Sequence, residues 1–97
     1  MNDTFKGLIE GRIVHYVMPN GRHLPAIVVN VWGESGVSNL QVITDGTNDL
    51  PYTQDDKEKF SNFGIVLDEV AHGHIWKTSI AFSENKETNT WHWPERI

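Results

Sequence analysis

The stretch "RIVHYVMPNGRHLPAIVVNVW", Arg12 to Trp32, limits what this chain can fold into more than any other. In Arg12–Met18 an extended backbone puts Ile13, His15 and Val17 on one face and Val14, Tyr16 and Met18 on the other. Asn20-Gly21 follows, the dipeptide best suited to a tight hairpin turn. Leu24–Trp32 is rich in β-branched residues, with Ile27, Val29 and Val31 on one face and Val28, Asn30 and Trp32 on the other. Pro25 has no backbone donor and belongs at a strand start or edge. The two segments predict a β-hairpin.

The rest of the chain repeats this habit of short apolar runs. Asn39–Thr44 predicts a third strand and Ile65–Val70 a fourth. In Ile75–Phe82, Trp76, Thr78, Ile80 and Phe82 alternate with Lys77, Ser79 and Ala81, which predicts a fifth. Trp91 and Trp93 would share one face of a last short strand, with His92 opposite and Pro94 as the stop. Asp45 to Gly64 shows no clear period; its middle predicts one helical turn, because Gln54, Asp55 and Asp56 suit a helix start. About five strands, Gly- and Asn-rich turns and no long helix predict a mainly β fold. The form expected is a single small antiparallel barrel or strongly bent sheet, SH3-like, over residues 1–97.

A chain of 97 residues has material for one modest core. It has no cysteine, hence no disulfide or thiolate chemistry, which suits a reducing compartment. Its start lacks the basic and apolar regions of a secretory leader. No apolar run approaches the ~20 residues of a membrane helix. Eight basic against thirteen acidic residues give a formal charge of −5. That disfavours duplex nucleic acid, which asks for a basic face, but leaves room for one small anionic ligand held by local cations and backbone donors.

The densest polar motif is "TDGTND", Thr44 to Asp49. One reading is a turn whose side chains bond their own backbone. The other is a recognition loop, with Thr44, Asp45, Thr47 and Asn48 bonding a ribose, base edge or phosphate. The spacing of a calcium loop is missing. The five histidines, His15, His23, His72, His74 and His92, lie in different turns and strands, and no cysteine or helical HxxxH accompanies them, so no metal is expected. His15 shares a face with Ile13 and Val17 and reads as a core group with a polar partner. No nucleophile elbow, P-loop or GxGxxG is present, and the adjacent Asp68 and Glu69 would face opposite ways on a strand, so the chain does not read as an enzyme and no cofactor is expected. Four tryptophans remain, together with Tyr16, Tyr52 and the phenylalanines. They are core material, or, where exposed, stacking surfaces for a base. Arg12, Arg22 and Arg96 could each grip a phosphate bidentately.

The blocks "GRIVHYV", "NGRHLPAIVV", "NLQVITDGTND" and "TWHWPE" together resemble a family of small proteins, about a hundred residues long, scattered through tailed-bacteriophage genomes. The resemblance touches most of the chain outside Leu50 to Gly64. It implies a phage accessory protein made in the host bacterial cytoplasm. It also implies kinship with noncatalytic oligomeric phage proteins that act as sponges for nucleotide second messengers of bacterial immunity, cyclic oligonucleotides or ADP-ribose derivatives.

The expected ligand site then comprises Trp91 and Trp93 for stacking, Tyr16 and His92 beside them, Thr44, Asp45, Thr47 and Asn48 for hydrogen bonds, and Arg22, Arg96 and His15 for charge. A chain this small offers little concavity, so a homo-oligomer interface is the expected place for the pocket. Two alternatives stand beside this reading. One is a virion structural or assembly protein, with the aromatics in subunit contacts. The other is an inhibitor that binds a host enzyme through the acidic residues Asp55 to Glu58.

Overall fold

The computed structural model describes residues 5–94. Five strands close into one barrel: β1 (Ile13–Val17), β2 (His23–Trp32), β3 (Val37–Ile43), β4 (His74–Phe82) and β5 (Thr90–His92). Successive neighbours pair antiparallel from β1 to β4, and β5 closes the ring against β1, with His15 opposite His92 and Tyr16 opposite Trp91. The expected barrel is therefore present, with one difference: β5 runs parallel to β4, through Ala81–Thr90 and Phe82–Trp91. Parallel neighbours need a crossover rather than a tight turn. Residues 83–89 supply it, ending where the Asn89 amide donates to the Val17 carbonyl at 2.8 Å.

The hairpin forms where the sequence places it. Gly21 takes a left-handed φ of 87°, its amide bonds the Met18 carbonyl, and Asn20 Oδ1 accepts from the Arg22 amide. Of the two faces of β1, the one with Val14 and Tyr16 lines the core, and Met18 beyond the strand is buried with them. His15 lies on the other face, half-buried, opposite Pro25 and His92, so it is not a core histidine.

Strict alternation fails in two strands. In β2 the register shifts between Val28 and Asn30, so Val28 is buried, Val29 exposed, and Val31 packs against the core again. In β4 both Ile75 and Ile80 point inward, although five positions apart. Ser79 adopts φ 54° there and the pairing with β3 slips, which is a β-bulge. The bulged amide of Ser79 donates to Asn39 Oδ1 at 2.9 Å. Trp76 and Ile80, expected on one face, therefore separate, and Trp76 stays 48% exposed on the outer wall.

The expected strand at Ile65–Val70 is a helix. Residues 44–73, between β3 and β4, carry α1 (Gln54–Asn62) and α2 (Leu67–Ala71). A strand would have put Val66, Asp68 and Val70 on one face, mixing a carboxylate with two valines. In the helix Val70 is fully buried, while Asp68 and Glu69 occupy the exposed first turn, where the helix dipole favours acid. The one expected helical turn is instead the nine residues of α1, capped by Thr53, whose side chain accepts from the Asp56 amide at 3.1 Å. Phe60, Ile65 and Val70 from this excursion are buried with the barrel's own apolar residues in one core cluster. Lys77 Nζ on β4 donates to the Phe63 carbonyl at the end of α1, at 2.7 Å.

Candidate functional site

The loop at residues 44–49 turns its polar groups on itself and on its neighbours. Thr44 is buried; its hydroxyl donates to the Val70 carbonyl at 2.6 Å and its amide to the Gly73 carbonyl at 2.8 Å. The Asp45 carboxylate accepts from Thr47 Oγ1 and from Asn48 Nδ2, both at 2.8 Å. Asp49, 1% exposed, accepts from the Asp45 amide through Oδ2. Its Oδ1 has no hydrogen bond, but Arg22 Nε stands 3.4 Å away, an ion pair longer than a hydrogen bond. Arg22 also donates to the Asn48 carbonyl. The arginine expected to hold a phosphate thus ties the hairpin turn to the loop. Gly46 has φ 80°, and a Cβ there would lie 2.7 Å from the Ala71 carbonyl oxygen, so the loop lies close against the end of α2. Of the two readings of "TDGTND", this geometry is that of the turn.

Two further expected site residues lie in the core. Tyr16 is fully buried and its hydroxyl donates to Asn89 Oδ1 at 2.6 Å; burial pushes its phenol well above the ordinary value. Trp91 is fully buried, with Nε1 donating to the Gly36 carbonyl at 2.7 Å and its ring among Phe5, Phe82 and Trp93. A ring enclosed in this way presents no face for a base to stack on. Trp93, two residues on, is only partly buried and meets Trp91 edge to face at 5.3 Å. Arg96 lies outside the described residues.

His92 faces away from Trp91, as the alternation predicts. It sits within a group of three histidines from three strands, with ring centroids 5.6 Å from His15 and 4.7 Å from His23. The rings meet edge to face. Nδ1 of His15 is buried with no hydrogen-bond partner among the described residues. No group of three or more histidine or carboxylate side chains among the described residues is arranged to hold a metal ion.

An open groove of about 680 Å³ is lined by Lys6, Arg12, Phe82, Glu84, Lys86, His92, Trp93 and Pro94. Strand β5 lies between β1 and β4 in the barrel, and its last residue His92 lines the groove together with Trp93 and Pro94 just beyond it. Arg12 precedes β1 on one side. Its Nε donates to the Gly7 carbonyl at 2.9 Å, which holds the turn carrying Lys6 close to it. Glu84 and Lys86 belong to the β4–β5 crossover on the other side. Three cations, one carboxylate and an indole therefore surround one open space. His92 and Trp93 are the expected residues found here. Lys6, Phe82, Glu84, Lys86 and Pro94 were not foreseen, and Arg12 was foreseen only as a general phosphate partner. In sequence the two lysines and Glu84 look like ordinary solvated turn charges; only the parallel closure of β5 brings them together.

The acidic stretch of α1 is ordinary by comparison: Asp55 and Asp56 lie in the helix's first turn, and Asp55 pairs with Lys59 at 3.4 Å. Among the described residues no helix is long and apolar enough to cross a membrane. No known family, curated protein or solved structure matches the chain.

Proposed function

We propose that this chain is a noncatalytic binder that sequesters a nucleotide second messenger of bacterial immunity, a cyclic oligonucleotide or an ADP-ribose derivative, for a phage that produces it in the host cytoplasm. The observation that carries the binding role is the groove. In a chain of formal charge −5 it gathers Lys6, Arg12 and Lys86 around Trp93. Cations collected in a concave place on an otherwise acidic protein attract and hold anions. A base stacked on an indole adds roughly 1–3 kcal/mol. The site is thereby moved: Trp93 and His92 stay in it, and Arg12, Lys6 and Lys86 take the place of Arg22 and the 44–49 loop. The phage setting rests on the resemblance of the signature blocks.

Calorimetry against cyclic oligonucleotides, ADP-ribose and its isomers tests the reading. Saturable binding that falls at least tenfold in Trp93→Ala is the expected result. No heat from any of these ligands at micromolar protein would sink it.

A virion assembly role is favoured by a different observation. On the outer wall Ile13 pairs with Ile27, Ile27 with Gln41, and Gln41 with Trp76, a row across four strands with Ile13 and Trp76 half-exposed at its ends. Such a row suits contact with further copies of the chain. Mass spectrometry of purified particles separates the two roles, because a sponge is absent from the virion.

A further inference from the structure

The chain has eight basic and thirteen acidic residues, yet its barrel wall is almost without charge. Strands β1, β2, β3 and β5 contain no Asp, Glu, Lys or Arg. β4 contains only Lys77, whose Nζ is engaged by the Phe63 carbonyl. We propose that the outer face of β1–β4 is the interface of a closed, two-fold dimer, and that the partner seated on it is a second copy of this chain. The row of residues at its centre takes no part in lining the groove, so the dimer does not depend on nucleotide binding. A closed pair also buries the row, so contact between copies ends at two.

An antiparallel sheet with one face in the core ordinarily turns polar residues to water on the other. Here the inner face is apolar, with Val14, Val28, Leu40 and Ile75 buried, and the outer face is apolar too. Its row Ile13–Ile27–Gln41–Trp76 crosses all four strands. Val29, two residues beyond Ile27, and Ile43, two beyond Gln41, extend the patch to either side of the row, and both are exposed. Neither helix covers it, since α1 and α2 turn Phe60 and Val70 into the core and leave Ile13, Ile43 and Trp76 open. The polar side chains of the wall already bond one another. Gln41 Nε2 and His74 Nδ1 are 3.0 Å apart, and Trp32 Nε1 donates to Asn39 Oδ1 at 2.9 Å. These groups keep those bonds when the wall is covered, which spares the cost of burying unpaired donors. Charge selects the occupant. Two chains of −5 repel wherever acidic turns or the first turn of α1 would meet, and the wall lets them approach without setting like charges together. A face without charges offers no ion pairs to select an unlike partner, whereas a two-fold axis presents the same shape twice. Sheets packed face to face interdigitate such β-branched and aromatic side chains. A standard interface takes ~800 Å² from each partner, about a seventh of this chain's 5867 Å² of accessible surface. The wall, four strands wide and seven residues long, measures roughly 19 by 23 Å before its side chains add to that footprint.

The experiment is sedimentation velocity on the whole chain from about 1 to about 300 μM, a range that brackets a micromolar Kd. The expected result is a mass that rises from 11.1 kDa towards twice that value and stops there. Trp76→Glu and Ile43→Glu each set a carboxylate against its own copy and should weaken association by about tenfold or more. Tyr52→Glu, at an exposed aromatic outside the strands, should leave it unchanged. A chain that stays monomeric throughout would overturn the inference. So would association that survives both wall substitutions, and so would growth past the dimer, which an open, heterologous contact produces. Urea denaturation checks that each variant is folded. The two wall positions are exposed and lie on different strands, so one remains usable if the other misfolds. No nucleotide enters the measurement, so this inference and the sponge reading fail separately.

Discussion

The loop at residues 44–49 and the groove around Trp93 contain similar chemistry assembled in different ways. Both bring together charged side chains, hydrogen-bonding groups and a sharp backbone turn. In the loop those groups are spent: Asp45 on Thr47 and Asn48, Thr44 on Val70, Asp49 on Arg22 and the Asp45 amide. In the groove, Lys6, Arg12 and Lys86, from separate segments of the chain, line a common open space. Polar groups close in sequence can satisfy one another, and a loop that does so becomes a fastener. Polar groups that meet only through tertiary closure come from separate elements, and can leave a gap that a ligand fills. Local density of polar residues therefore pointed to the fastener, and the wider separation to the candidate site.

The largest expected effect divides the two tryptophans of "TWHWPE". Trp91→Ala removes a fully buried indole and its hydrogen bond to the Gly36 carbonyl. It should cost about 3–5 kcal/mol, enough to unfold much of a domain this size at 37 °C. Trp93→Ala should cost under about 1 kcal/mol of stability while weakening nucleotide binding. Urea denaturation and calorimetry on the same preparations measure both. Equal destabilisation by the two substitutions would make Trp93 a core residue and break the contrast between the barrel interior and the groove.

Next come the two acids of the loop. Asp49→Ala strips a buried carboxylate from Arg22 and from the Asp45 amide and should cost about 2–3 kcal/mol. Asp45→Ala acts at an exposed position and should cost about 1 kcal/mol or less. Neither substitution should change affinity in the groove. The opposite pattern, with Asp45→Ala folding normally but failing to bind nucleotide, would return the loop to the recognition role that its composition suggested.

These contrasts also mark what the sequence could reveal. The hairpin was legible because its period, its Asn-Gly turn and its β-branched residues all agree over Arg12 to Trp32. Both bulges were hidden. A bulge shifts alternation by one residue, and nothing local announces it at Ser79, whose amide is held by an asparagine forty positions away. The helix α2 was misread because "IVLDEV" is too short for its period to be judged, and β-branched residues tilt such a run towards strand. The alternation at the C-terminus correctly separated Trp91 from His92. It could not say which tryptophan the Phe5 and Phe82 rings would enclose. The groove was illegible because Lys6, Arg12 and Lys86 meet only after β5 has closed the barrel.

Gly46→Ala probes how tightly the fastener is drawn. A left-handed φ costs an alanine about 1 kcal/mol, and the new Cβ would press on the Ala71 carbonyl oxygen at 2.7 Å. A loss of about 1–3 kcal/mol is expected on thermal or urea denaturation. No loss would mean that the loop relaxes away from α2 freely, and it would then have the slack to reorganise around a ligand.

The smallest effect, and the one that joins the two regions, belongs to Tyr16. Its ring is in the interior, across the seam from Trp91, while its hydroxyl holds Asn89, the last residue of the crossover that carries Glu84 and Lys86. Tyr16→Phe removes that bond and should cost about 1 kcal/mol. It should also change the response to alkali. Burial raises the phenol above its ordinary value of 10.0, so above pH 10 the unfolded chain loses this proton while the folded chain keeps it. The native state then binds more protons than the unfolded state, and stability falls as pH rises. Lys77 works the other way. Burial lowers its ammonium below 10.5, so between its lowered value and 10.5 the unfolded chain holds the extra proton and stability rises with pH. Denaturation midpoints from pH 8 to 11 in the wild type combine the two, and in Tyr16→Phe the falling component should vanish while the Lys77 component remains. A variant that keeps the alkaline fall would show that Tyr16 ionises as readily folded as unfolded. The seam beside the groove would then be open to solvent, and the division between a closed interior and an open groove would not hold at β5.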